Sequence, residues 1–259
     1  MRKKILGLLL VLCLLPQEIW AHFLWINPQK YRLQPGEGLK VTLGFGHHFP
    51  GAGGDLLKGA NLKELKLILA DGRDIPLKAP SDSLVFETSS TLAKEGTALL
   101  GAEKKAGFFT KTVSGFYHQS KKGLANVLVC KYSRRFAKAL ITVGKPRGKI
   151  FQKVLGQELE IIPLKDPATL KAGDWLPLKV LFKGKPYRKK WVLATYEGFS
   201  SSDRPAFSYA TRTDYQGRAF VRLDHRGIWL IAVFHEEPYP EREVCDVSTV
   251  VSTLTFELY

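Results

Sequence analysis

The chain has 259 residues, a formal net charge of +15, 45% hydrophobic residues, 23 glycines and 14 prolines. Its basic residues are scattered as pairs, with no helical basic stripe and no nucleic-acid motif. This scattered distribution argues against nucleic-acid binding. The net positive charge instead favours solubility or attraction to anionic surface polymers and lipids. The apolar run at residues 5–15 is too short to span a bilayer and no second one follows, so no transmembrane anchor is expected.

Residues 1–21 have the pattern of a removable secretory signal peptide. A cationic start precedes the apolar run of residues 5–15, Pro16 ends this run, and Ala21 supplies the small residue at the cleavage point. We therefore predict export to the periplasm and a mature chain that begins at His22. Removal of the segment lowers the formal net charge from +15 to +13, because three basic residues and one acidic residue leave with it.

A mature His22 would carry both a free α-amine and an imidazole. These two nitrogens can close a six-membered chelate on one divalent transition metal ion, which makes this single residue a candidate half-site. The alternative is that cleavage simply falls there and His22 is incidental. Ile19, at the third position upstream of the cut, departs from the alanine that is usual there.

Frequent turn residues and scarce helical periodicity predict an all-β fold. In the first half, we predict strands at residues 39–45, 65–69, 75–77, 84–87, 98–100, 107–112, 125–129 and 139–143. A charged, glycine-containing linker at 144–156 follows. The second half is predicted to have strands at 159–163, 175–182, 191–196, 206–213, 219–223, 228–234 and 248–258.

Each half has the size of one sandwich domain. We therefore predict two β-sandwich domains, at residues 22–145 and 155–259, the second immunoglobulin-like or fibronectin-like. Four tryptophans lie within apolar runs and are predicted to be core residues: Trp25, Trp175, Trp191 and Trp229.

Two cysteines remain after the signal peptide, Cys130 and Cys245. In an oxidising compartment a pair this far apart in sequence is more often a disulfide than two free thiols. Neither belongs to a CxxC or CxxxH unit, so a zinc-thiolate site is the weaker interpretation. A bridge would tie the end of one predicted domain to the other.

Turn and strand motifs recur in a fixed order along the mature chain: His22-Phe23-Leu24-Trp25, Gly46-His47-His48-Phe49, Asp166-Pro167, Gly184-Lys185-Pro186 and Gly227-Ile228-Trp229 leading to His235-Glu236. In this order they resemble the periplasmic DUF4198 family, which is related to the nickel-uptake component NikM. The resemblance implies an exported β-sandwich protein that handles nickel or cobalt. Because the chain lacks a multi-span membrane region, an uptake role would require a separate membrane metal transporter as partner.

The remaining histidines are judged by whether they could share an ion with His22. Neighbouring residues on a strand point to opposite faces, so His47 and His48 can both reach one ion only from a loop. The glycines around them favour a loop. It stays open whether one of the two is instead a hydrogen-bonded turn residue.

His225 and His235 bracket one predicted strand, and ten extended residues span about 33 Å, so the two cannot easily bind the same ion. We favour His235, because it ends an apolar strand beside two glutamates that could orient its second nitrogen. His225 lies in a charged turn. It is interpreted as a solvated polar residue, and His118 as structural.

No paired catalytic carboxylates and no nucleophile elbow are evident, so the protein is not expected to be an enzyme. We predict a periplasmic protein that binds nickel or cobalt, with copper favoured on intrinsic affinity alone. The predicted metal ligands are His22, His47, His48 and His235. The main alternative is a structural or adhesive envelope module that binds an anionic polymer or a partner protein. A copper oxidase with an N-terminal histidine brace is a third alternative, which would need a flat exposed substrate face.

The maturation hypothesis makes a direct prediction. Intact-mass analysis of the exported protein should give a chain that starts at His22, because cleavage follows Ala21. A start two or more residues away would remove the amine-imidazole chelate and contradict the metal hypothesis in this form.

Overall fold

The computed structural model describes residues 22–51, 56–77, 84–88, 91–201 and 206–259, so the predicted signal peptide lies outside the described residues. The strands are β1 (Phe23–Pro28), β2 (Arg32–Leu33), β3 (Lys40–Gly46), β4 (Leu62–Ile68), β5 (Asp74–Pro76), β6 (Val85–Glu87), β7 (Gly96–Thr112), β8 (Phe116–Tyr117), β9 (Val127–Val143), β10 (Leu159–Pro163), β11 (Trp175–Phe182), β12 (Lys185–Pro186), β13 (Trp191–Tyr196), β14 (Tyr209–Arg212), β15 (Arg218–Arg222), β16 (Gly227–Pro238) and β17 (Val247–Leu258). Short 3₁₀ turns occur at Gly59–Asn61, Ile150–Gln152 and Pro167–Thr169. None of the helical segments in the described part is long and apolar enough to cross a bilayer.

Within the described residues, the strands form three sheets. A long central sheet has the order β14-β13-β16-β17-β9-β7-β4-β5, with β2 added at β9 and β8 at β7. The N-terminal cover sheet has the order β1-β3-β6. The C-terminal cover sheet has the order β10-β11-β12, with β15 on β11. The all-β prediction is confirmed.

The two cover sheets pack on opposite faces of the central sheet. Along β9, Ala137 and Ala139 pack into a core with β1 and β3, whereas Phe136 and Leu140 pack into a core with β10 and β11. This explains why residues 135–143 are buried without interruption, since a strand covered on both faces needs no polar side.

The two halves of the chain meet in the central sheet. Strand β17 pairs in parallel with β9 from Val247 opposite Lys131 to Thr255 opposite Ala139. The C-terminal half forms a sandwich, with β10, β11 and β15 in one layer and β13, β16 and β17 in the other. This is the arrangement of strands A, B, E and C, F, G in immunoglobulin-like folds. The β-sandwich class is confirmed, and the division into two domains stays a prediction. The proposed boundary between residues 145 and 155 falls where the chain crosses between sheets.

Strands β7 and β9 are longer than predicted. Each runs for 17 residues, whereas the sequence suggested two short strands in each place. Charged residues interrupt the apolar pattern at 103–105 and 131–135, but the backbone stays extended through a register shift between Lys104 and Gly107. Such a bulge keeps a strand continuous where the side-chain alternation fails.

Two of the four tryptophans predicted to be core residues are exposed, so that prediction was wrong for them. Trp25 and Trp229 are buried, but Trp175 and Trp191 are 47% and 45% exposed. Both lie at the first position of a strand, and arginine guanidinium groups cover their rings. The cations provide contacts that the apolar pattern does not reveal.

The predicted disulfide is present between Cys130 and Cys245. It joins β9 to the segment that enters β17, 115 residues later. Asp246 fixes the same junction. One of its carboxylate oxygens accepts a hydrogen bond from the backbone amide of Cys130 at 2.7 Å, and the other lies 2.5 Å from Lys121 Nζ. The bridge reinforces the β9–β17 pairing that holds the two halves together.

A buried ion pair attaches the segment between the halves. Lys138 Nζ on β9 lies 2.5 Å from Glu160 Oε1 on β10, and both side chains are essentially inaccessible to solvent. Glu160 also accepts the backbone amides of Leu155 and Gly156. Burial lowers the pKa of Lys138, and the charge of Glu160 opposes this shift. The pair therefore satisfies groups that the crossing backbone would otherwise leave buried without partners.

We expect Lys138→Met or Glu160→Gln alone to lower the free energy of unfolding by about 3–5 kcal/mol, because each leaves an uncompensated buried group. The double variant Lys138→Met/Glu160→Gln should be less destabilised than the sum of the two single variants. Urea unfolding of the four proteins measures the coupling. Strict additivity would contradict the assignment of this pair as one buried unit.

Candidate functional site

The candidate site lies at one end of the β1–β3 pair. In the antiparallel register Phe23 is opposite Gly46, so the next residues outward, His22 and His47, face each other. Their ring centroids are 4.5 Å apart, with the rings nearly perpendicular. Residues 25 positions apart in sequence are therefore brought together as a cross-strand pair.

The loop that follows β3 is fastened to β1. The carbonyl of Pro50 accepts a hydrogen bond from Trp25 Nε1 at 2.8 Å and another from Asn27 Nδ2 at 2.7 Å. Residues 47–50 form bends rather than a strand, as the interpretation of His47 and His48 required. Both side chains line the same small cleft.

Gly44 allows Trp25 to occupy this position. It pairs directly with Trp25 across the two strands, and a Cβ added at Gly44 would lie 2.0 Å from the indole ring. The indole is buried, and its ring packs edge-on against Phe49, with centroids 6.0 Å apart. Glycine, which has no Cβ, is therefore required at this point of β3 for the indole to reach the Pro50 carbonyl.

The backbone of β1 is anchored on its other side by the central sheet. Thr253 and Thr255 of β17 donate hydroxyl hydrogen bonds to the carbonyls of Leu24 and Ile26. Arg135 Nε of β9 donates to the carbonyl of His22 at 2.8 Å. Burial lowers the pKa of Arg135 to about 10. His22 thus lies directly before a strand whose first four residues are buried.

The cleft beside this pair is small. Its volume is about 30 Å³, and it is lined by His47, His48 and aromatic residues that include Phe23, Trp25 and Phe207. This volume accommodates one or two water molecules. His47 and His48 thus share a narrow cleft whose lining does not include His22.

His235 lies elsewhere. It is on β16, where Val233 and Ile231, on the same face, belong to the core under the C-terminal cover sheet. Its Nδ1 is 2.7 Å from the hydroxyl of Tyr187, and its ring centroid is 4.2 Å from that of Phe182. The structure therefore places His235 on the opposite face of the central sheet from His22 and does not bring the two together.

The second nitrogen of His235 meets a carboxylate, as the neighbouring glutamates suggested. Nε2 lies 3.2 Å from Glu237 Oε2. Contact with His235, reinforced by the charge of Lys183, holds the pKa of the Glu237 carboxyl below its usual range. Burial, with the charge of Glu237, raises the pKa of Tyr187 to about 12. Both ring nitrogens of His235 thus contact polar protein groups.

The other two histidines lie away from the cleft. His225 stacks on the ring of Tyr196, with centroids 4.2 Å apart, in an exposed turn. His118 is exposed beside Phe109. In the described part of the chain, no group of three or more histidine, cysteine, aspartate or glutamate side chains is arranged to hold a metal ion.

A family model, described as a domain of unknown function (DUF4198), matches residues 19–237. The chain belongs to this family. No functionally curated protein matches the sequence significantly.

Similar solved structures are distant. The D0-D1 domain of intimin is 14% identical over 90% of this chain and 97% of that chain, with a TM-score of 0.22. The Yersinia pseudotuberculosis adhesin InvE is 13% identical over 91% of this chain and 58% of its own, with a TM-score of 0.23. A DUF4785 family protein from Legionella pneumophila is 13% identical over 80% and 52%, with a TM-score of 0.24. Scores this low carry no argument about function.

The close approach at Gly44 gives a testable prediction. We expect Gly44→Ala to displace the Trp25 indole, break its bond to Pro50 and lower the free energy of unfolding by about 1–3 kcal/mol. Gly38→Ala is the control, since a Cβ there meets nothing within 4 Å. Chemical denaturation and near-ultraviolet circular dichroism measure both effects. Equal behaviour of the two variants would contradict the packing argument.

Proposed function

We propose that the protein is exported to the periplasm, begins at His22 after cleavage, and binds a divalent transition metal ion without catalysing a reaction. The observation that carries the proposal is the cross-strand contact between the rings of His22 and His47. The ion would be held by the α-amine and imidazole of His22 and the imidazole of His47. Three nitrogen donors would thus come from only two residues.

The donor chemistry selects the class of metal. Imidazole and amine nitrogens suit copper, nickel, cobalt and zinc, whereas magnesium and calcium prefer oxygen ligands. The two cysteines of the mature chain are joined in a disulfide and supply no thiolate. The family resemblance favours nickel or cobalt among these metals, and intrinsic affinity favours copper.

Electrostatic attraction contributes little to such a site. Arg135 is bonded to the His22 carbonyl, and the Lys104 ammonium lies 5.0 Å from the Phe45 ring, which itself contacts His22. Both cations repel a bound metal ion. Affinity would therefore come from chelation on a preorganised backbone, which makes the terminal amine the critical donor.

His48 is the natural source of a further ligand. It is exposed, follows His47 directly and lines the same cleft. An exposed fourth ligand would allow the ion to be passed on by ligand exchange. We propose a separate membrane metal transporter as the recipient. His235 is left out of this ligand set because it lies on the other face of the central sheet.

A one-residue extension tests the proposal. Adding Ala ahead of His22 keeps every side chain but converts the amine into an amide, and His47→Ala removes the second ring. Loss of groups outside the ligand shell already weakens metal sites about 10–100-fold, so we expect each change to weaken binding by about a hundredfold or more. Calorimetric titration with nickel, cobalt and copper measures the affinities.

Three variants serve as controls: His118→Ala, His225→Ala and His235→Ala. They should bind metal as the parent protein does. Affinity should also fall between about pH 7 and pH 5, because ligating amine and imidazole nitrogens must be deprotonated. If the extended protein binds as tightly as the mature one, the amine is not a ligand and the structural or adhesive module becomes the better account.

A further inference from the structure

Strands β7 and β9 extend beyond the sheets that cover their inner ends. Pairing of β4 with β7 ends at Lys104, and pairing of β17 with β9 begins at Lys131. Beyond these points, in the described part of the chain, they pair only with each other and with the two-residue strand β8, while residues 239–246 pack against their inner end. We call residues 105–131 the ribbon. At about 3.3 Å per residue, the strand segment from Gly107 to Thr112 is about 20 Å long.

The end of the ribbon exposes large apolar side chains on both faces. Phe116 is 61% exposed and packs on Phe109, and Val113 in the terminal turn is 73% exposed. On the other face, Leu128 and Tyr117 are also exposed. This exposed apolar cluster lies at the end of a projecting segment rather than across a flat face. Such a shape suits insertion into a lipid layer more than packing against a rigid protein.

The ribbon's own sequence carries charge of a single sign, and the acidic residues that contact it come from residues 236–246 at its inner end. Residues 104–157 contain thirteen lysines and arginines and no aspartate or glutamate. Lys121 and Lys131, at the inner end of the ribbon, are paired with Asp246, which precedes β17, and with Glu236 on β16. Within the described residues, Lys105, Lys111 and Lys122 form no ion pair, and they stand on the ribbon itself.

We propose that the ribbon docks on the surface of a membrane that contains anionic phospholipid. Aromatic side chains are favoured at the level of lipid headgroups, and lysines near an anionic leaflet each contribute attraction. A second copy of the chain would bring a ribbon of the same charge and be repelled. A soluble anionic polymer would leave the apolar end in water. A lipid surface satisfies both the charge and the apolar side chains.

Vesicle co-sedimentation tests this proposal. The purified protein is mixed with phosphatidylcholine vesicles with and without phosphatidylglycerol, and every variant starts at the same residue so that the N-terminus contributes equally. We expect binding only to the anionic vesicles, and loss of binding in about 1 M salt, where the Debye length falls to ~3 Å. Lys111→Gln/Lys122→Gln should weaken binding about thirtyfold, roughly fivefold for each lysine. Phe116→Ser should weaken it about tenfold.

Matched variants separate the ribbon from general basicity. Lys171→Gln/Lys185→Gln removes two exposed lysines elsewhere, and Phe220→Ser removes an exposed aromatic ring of similar accessibility. Both should bind as the parent does, and all variants should keep its melting temperature. Equal loss in ribbon and control variants, equal binding to both kinds of vesicle, or no binding at all would overturn the proposal. Concentration-dependent dimerisation that Phe116→Ser abolishes, without vesicle binding, would assign the ribbon to a second copy instead.

Discussion

The parallel pairing of β9 with β17 is the interaction on which the rest of the structure depends. It joins the two halves into one central sheet and gives each cover sheet a face on which to pack. Parallel pairs need coverage on both faces, and here the two cover sheets provide it. The disulfide reinforces this junction, and the Lys138–Glu160 pair ties β9 to β10 of the C-terminal cover sheet.

The same junction explains why the predicted mature N-terminus is well placed for chemistry. Chain termini usually fray unless they are tied into a sheet. Here Leu24 and Ile26 are buried and bonded to threonines of β17, and the His22 carbonyl is bonded to Arg135 of β9. A terminal amine on such a segment would lose little freedom on binding an ion, which is the condition for a strong chelate.

The proposed site and the ribbon share their supporting strands. Arg135 on β9 reaches His22, and Lys104 on β7 lies over Phe45 at the point where the ribbon begins. A ribbon docked on a lipid surface would therefore hold the His22–His47 pair at a fixed height above it. The two proposals are nevertheless independent, since one depends on nitrogen ligands and the other on exposed apolar and cationic side chains.

Local sequence patterns predicted much of the fold. The strands at 159–163, 175–182 and 191–196 have the expected bounds, because strong alternation and flanking turns define them. The length of β7 and β9 was missed because charged residues interrupt their apolar pattern. The His22–His47 contact depends on the register of β1 with β3. The face on which His235 lies depends on which alternate side chains of β16 point to each side of the sheet. A local sequence pattern specifies neither of these. The absence of aspartate and glutamate from residues 104–157 is evident in the sequence. Only the structure shows that part of this stretch extends beyond the neighbouring strands β4 and β17.

X-ray absorption at the metal edge tests the central claim most directly. The claim is that β1 and β3 place two imidazoles and one terminal amine around a single ion. For the copper-loaded or nickel-loaded mature protein it predicts imidazole ligands that include His47, with one imidazole fewer per ion in His47→Ala. A metal-bound protein with no imidazole scattering, or with an unchanged number of imidazoles after His47→Ala, would contradict the account.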